Sequence, residues 1–149
     1  MIWAFSPNGQ YSLKSAHYLA KGLNLLNLKT GDNWVWKVLT SPRIKFFLWL
    51  CSHYSILTRE VLGLRGSSLD LSCPVCGLHL ESILHTLRDC HIAKNFWIDL
   101  GIQGSTLDFF SVNLFDWLKG NCMSSTRTSY GNLPWKFLFP FGVWHLWLH

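Results

Sequence analysis

The stretch CPVCGLHLESILHTLRDC, Cys73 to Cys90, carries three of the chain's five cysteines and a histidine, in the order Cys-x2-Cys-x8-His-x4-Cys. Thiolates and imidazoles bind soft to borderline cations, and four of them close a tetrahedron around zinc. Two cysteines three positions apart can both face into one tight turn, and Gly77 accepts the backbone angles such a turn needs. Ile83, Leu84 and Leu87 make an apolar stripe at helical spacing, which predicts a short helix over Leu80–Asp89 with His85 projecting from it. Cys90 lies about 140° round an ideal helix from His85, so that helix is expected to end near Asp89 if both are to meet one ion. The spacing predicts a structural zinc knuckle with Cys73, Cys76, His85 and Cys90 as ligands. His79 and His91 are the alternatives, either of which could replace His85 or Cys90. A redox pair is disfavoured, because Gly77 follows the second cysteine directly and no strand–helix–strand pattern surrounds it.

The chain around this stretch has 149 residues, 49% hydrophobic and 14% charged. That composition suits a single domain with a sizeable core and excludes a disordered chain. Nine tryptophans imply large, flat contacts in that core. An odd cysteine count, with three in a metal-spaced cluster, argues against a secreted disulfide scaffold and for a reducing, intracellular location, nuclear or cytoplasmic. No secretory signal follows Met1. The most apolar run, Leu133 to Leu148, includes Pro134, Lys136, Pro140 and His145 and falls short of the roughly 20 residues that span a bilayer, so no membrane association is expected. Formal net charge is +5; three thiolates and one zinc would leave about +4, a surplus that favours acidic partners such as RNA or single-stranded DNA.

The fold class expected is mainly α: a small helical domain with a short N-terminal β-hairpin and a Cys3His zinc knuckle. Asn8-Gly9 is a strong hairpin turn joining Ile2–Phe5 to Gln10–Leu13, and Ser12 can cap a helix from Leu13 to about Leu23. Asp32 or Asn33 caps a short helix with Trp34, Val35, Trp36 and Leu39. Ser41-Pro42 opens the next, whose residues Ile44 to Cys51 are apolar nearly all round, as in a central helix buried on several sides. Thr58 caps Arg59 to Leu64. Beyond the knuckle, Ala93, Phe96, Trp97 and Leu100 stripe a helix that stops at Gly101, and one more runs from Ser105 or Thr106 through Leu118. The divisions expected are a helical domain at 1–119, a loop or linker at 120–133 and an aromatic-rich helical segment at 134–149.

Four protein ligands leave a zinc ion no open position, hence no activated water. Only two glutamates occur, Glu60 and Glu81, and Glu81 is read as a first-turn residue of the knuckle helix. No phosphate-cradling glycine loop and no aspartate pair able to hold Mg²⁺ is present. The sequence therefore predicts no enzyme activity for the chain alone and no small-molecule substrate. Arg43, Lys45, Arg59, Arg65, Arg88 and Lys94 flank the knuckle. Beside aromatic residues they are candidates for contacting the phosphates of a single strand. The competing reading is a structural or protein-interaction module.

These motifs together resemble the zinc-binding domain near the C-terminus of reverse transcriptases from plant-type non-LTR (LINE-like) retrotransposons. The matching residues are Trp3 with Ser6 to Ala16, Trp36-Lys37, the run PRIKFFLWL from Pro42 to Leu50, Leu57-Thr58, Arg65-Gly66, and above all CPVC followed by Glu81-Ser82, His85 and Arg88-Asp89-Cys90, with Ala93 and Trp97 beyond. Trp135–His149 resembles the tryptophan-rich stretch that precedes an RNase H-like domain in some members. His91 stands where the family often has proline. The resemblance implies one structural zinc at Cys73, Cys76, His85 and Cys90. It also implies a parent element whose polymerase or RNase H domains are partners of this module, with a non-functional retroelement fragment as the alternative.

Overall fold

A computed structural model of the chain describes residues 33–102, 106–129 and 131–149. The predicted N-terminal hairpin and the helix after it lie outside these residues. Residues 34–149 form one compact unit. It is mainly helical, as the apolar periodicities predict. Among the described residues the only β structure is two isolated antiparallel bridges, Ser72 with Leu80 and Arg127 with Pro134.

The elements in order are α1 (Trp34–Lys37), α2 (Pro42–Ser52), α3 (Arg59–Leu64), a π-helical turn (His85–Asp89), α4 (His91–Asp99), α5 (Thr106–Ser111), α6 (Leu114–Cys122) and α7 (Trp135–Leu148). Their starts follow the sequence signals. The Ser41 hydroxyl accepts from Ile44 N ahead of Pro42 at the first position of α2, and Thr58 does the same for Val61 N at α3. The single helix expected from 105 or 106 to 118 is two. Asn113 Oδ1 accepts from Asp116 N at 3.0 Å and opens α6 anew, because an asparagine side chain satisfies a first-turn amide better as a cap than inside a helix.

Trp97 is the centre of the core. Its ring is fully buried. It stacks on Phe139 at 5.1 Å, meets Trp117 edge-on at 5.8 Å, and lies 5.5 Å from Phe109 and 6.0 Å from Trp135. Its indole N–H donates to Leu87 O at 2.8 Å, so the one polar atom of this side chain is satisfied in the interior. Gly142 is what admits α7: a Cβ there would stand 2.8 Å from the Trp97 ring. Pro140, also in α7, is buried.

The stretch 120–133, expected as a loop or linker, is anchored to the same unit. Gly120 to Cys122 complete α6. Thr128 N donates to Leu133 O at 2.8 Å, Trp135 N to Thr126 O at 2.9 Å, and Trp135 Nε1 to Asn121 Oδ1 at 2.8 Å. Helix α2, expected to be enclosed on several sides, buries Ile44, Phe47, Leu48 and Cys51 but leaves Phe46 in solvent. Among the described residues no helix is long and apolar enough to cross a membrane.

Candidate metal centre

The first half of the site is the turn Cys73–Gly77. Gly77 N donates to Cys73 O at 2.8 Å and Cys73 N to His79 O at 2.7 Å, closing the turn. Gly77 takes φ +64, a conformation glycine adopts without steric cost. The Ser72–Leu80 bridge joins the two sides of the turn at its base.

The second half answers how His85 and Cys90 meet. Helical winding begins only at Ile83, later than predicted, because Leu80 is held in the bridge. Ser82 Oγ then accepts from His85 N at 3.0 Å. From His85 the winding is π rather than α: Cys90 N donates to His85 O at 2.7 Å, an i to i+5 bond. That wider turn returns the chain over its start after five residues, where an α-turn would have carried Cys90 past His85. Cys90 is extended, at φ −59 and ψ 144, and its carbonyl accepts from Lys94 N at the start of α4.

The structure thus brings together Cys73, Cys76, His85 and Cys90. Their donor atoms all lie within 4.8 Å of one another, and Cys76 Sγ is 3.4 Å from His85 Nε2. Two sulfurs bound tetrahedrally to zinc stand about 3.8 Å apart, from bond lengths of about 2.3 Å, so the group fits the ion in donor type, number and spacing. Cys73, His85 and Cys90 are buried and Cys76 is half-buried. The Leu78 backbone N–H, helped by that of His79, holds the Cys76 thiol below its ordinary pKa. Burial, then the neighbouring His79, lowers the pKa of His85, which favours the neutral ring that can donate a lone pair. Burial raises the Cys90 thiol. His79 and His91 stay exposed; the His79 ring is 5.5 Å from that of His85, and His91 Nδ1 is 3.9 Å from Cys90 Sγ.

The six candidate basic residues have different surroundings. Arg88 is only 4% exposed. It pairs with Asp89 through Nε at 2.7 Å and Nη2 at 3.1 Å, donates Nη1 to Val112 O at 2.6 Å, and lies over the Trp117 ring. It braces the π-turn against the α5–α6 junction and has no face left for a phosphate. Its position four after Leu84, on the apolar stripe of the knuckle helix, was the sequence signal for this. Arg59 donates to Asp70 O and Ser72 O and faces Glu81 at 3.9 Å. Glu81 itself accepts from Arg59 N at 2.7 Å, so it serves the N-terminus of α3 rather than the knuckle helix. Lys94 stands over Phe110, Lys45 donates to Trp36 O at 3.0 Å, and Arg43 and Arg65 are exposed.

Fold and cluster together define a class of protein, a helical domain docked on a four-ligand Cys/His knuckle. The chain belongs to the family described as zinc-binding in reverse transcriptase, which it matches over residues 11–97, as the sequence motifs indicated. It is 34% identical over 149 residues to a protein of Arabidopsis thaliana that bears the name ribonuclease H protein. The match takes in 99% of this chain and 24% of that relative's length. No solved structure matches the chain.

Proposed function

We propose that the chain is a zinc-stabilised accessory module of a retroelement reverse transcriptase, contacting single-stranded RNA or DNA through its phosphates and catalysing nothing alone. One zinc ion would be held by Cys73, Cys76, His85 and Cys90 in a closed, structural site. Zinc there would join the turn Cys73–Gly77, which buries only Cys73, to the π-turn, whose Leu87 and Arg88 are packed into the core. The chain's residues do the rest: backbone amides shape the turn, and Arg88 fixes the π-turn to the helical core.

The observation that carries the nucleic-acid reading is a one-signed surface on α1 and α2. Between Asp32 and Glu60 the sequence has Lys37, Arg43, Lys45 and Arg59 and no carboxylate. The same stretch exposes Trp36 and Phe46. Cations interleaved with exposed rings are what non-specific single-strand binding uses. The test is binding of the zinc-loaded chain to a single-stranded oligonucleotide across a salt series. Affinity should fall steeply with salt and weaken on reversing Lys37, Arg43 and Lys45 to glutamate; no retention on nucleic acid at low salt would overturn the reading.

A second reading, docking to polymerase or RNase H domains of a parent polypeptide, is favoured by the knuckle tip. Val75 and Leu78 are exposed there, and no lysine or arginine lies between Arg65 and Arg88.

A further inference from the structure

We propose that the groove between α2 and α7 is a slot for one unpaired base of a single strand, with Arg43 placed on the adjoining phosphate. This rests on the nucleic-acid reading above and gives it a specific seat. The groove has a volume of about 380 Å³, within the range of roughly 300–1,000 Å³ typical of small-ligand sites. Its walls are Phe46, Phe47, Leu50, Trp144 and Trp147, and Arg43 stands on its lining as the one charged side chain. Phe47 is fixed edge-on to Trp144 at 5.1 Å and lies 5.8 Å from Trp147, so the inner wall is a rigid set of rings. Phe46 is 54% exposed and lies nearly parallel to Trp49, at 13° and 5.9 Å. Its own helix otherwise turns Ile44, Phe47 and Leu48 inward. Flat rings accept any base by stacking.

Charge decides the occupant. No carboxylate lines the groove, and none occurs from residue 33 to 59. An apolar peptide would fill the same walls but would leave Arg43 without a counter-charge, whereas a nucleotide supplies the ring and the anion together.

The experiment compares two single strands of equal length, one with bases and one abasic at every position, each binding to the zinc-loaded 149-residue chain. The base-bearing strand should bind about tenfold more tightly, and a 2-aminopurine in it should lose fluorescence on stacking. Phe46→Ala, a surface change, should remove about tenfold of the affinity for the base-bearing strand and none for the abasic one. Arg43→Gln should lower the slope of log affinity against log salt by about 0.7. Equal binding of both strands, unchanged by Phe46→Ala, would overturn the slot, including in favour of a protein occupant, while leaving phosphate binding intact. Failure of both strands to bind at low salt would overturn the slot and the underlying reading together.

Discussion

The knuckle and the aromatic core, joined through the π-turn, gain their order in different ways. Around Trp97 four rings from three other helices touch one indole, and close packing of large side chains supplies the stability. Between Leu71 and Leu80 the only buried residue is Cys73, while Val75 and Leu78 face solvent. Backbone hydrogen bonds shape that segment, but so little buried apolar surface cannot offset the entropy of ordering it. The difference is between a half held by packed rings and a half whose turn buries almost nothing apolar, and it predicts that the second leans on a metal ion at its Cys/His group.

Zinc removal should give the largest effect and the most uneven one. Structural zinc contributes roughly 10–16 kcal/mol in small zinc-binding peptides. Chelation should abolish hydrogen-exchange protection at Cys73, Gly77 and Cys90 while the amides of α6 and α7 keep theirs. Uniform loss of protection would show that the two regions are a single cooperative unit. Truncating the other half comes next. Trp97→Ala should cost about 3–5 kcal/mol in urea unfolding, with zinc stoichiometry retained at low denaturant. Loss of zinc in that variant would mean that the core shapes the metal site directly.

Two further substitutions, with one control, probe the packing on Trp97 and the brace on the π-turn. Gly142→Ala drives a methyl into the Trp97 ring and should destabilise by about 1–3 kcal/mol, whereas Gly120→Ala, whose Cβ meets nothing within 4 Å, should be neutral or better. Arg88→Met leaves two carbonyls without their donor and a partly exposed Asp89 without its partner. A loss of about 1–3 kcal/mol is expected, together with faster release of zinc to a chelator. An unchanged release rate would separate the brace from the metal site.

The smallest effect concerns the two remaining thiols. Cys51 and Cys122 are buried, and burial raises both of their pKa values. A raised folded pKa favours the neutral thiol, so this contribution is complete below the unfolded value of about 8.5 and declines as pH rises above it. Stability should fall from about pH 9 upward, less so in the Cys51→Ala variant. With a thiol reagent at pH 8, the chelated, folded chain should expose Cys73, Cys76 and Cys90 and keep Cys51 and Cys122 protected until it is denatured.

The helices were legible in the sequence because they rest on local signals: Ser41-Pro42, Thr58 and the stripe through Ala93 and Trp97 each act within a turn or two. The metal cluster was legible because thiol spacing is itself local. What escaped depended on partners distant in sequence. Arg88 is drawn inward by carbonyls 21 and 24 residues away. Glu81 caps a helix that precedes it by 22 residues. The exposed side of α2 could not be told from its buried side, since both are apolar, and Asn113 had to compete with a continuing apolar stripe before it could break a helix.

The π-turn also sets how this family member can vary in length. A π-turn is an α-turn holding one extra residue, and the hydrogen bond from Cys90 N to His85 O spans that excess. Deleting half-exposed Thr86 should let the segment relax to an ordinary α-turn, with histidine and cysteine four apart and still on one face. A second insertion has no such turn to fall into and would throw the cysteine off the cluster. The spacing between these two ligands should therefore tolerate contraction by one residue and resist expansion.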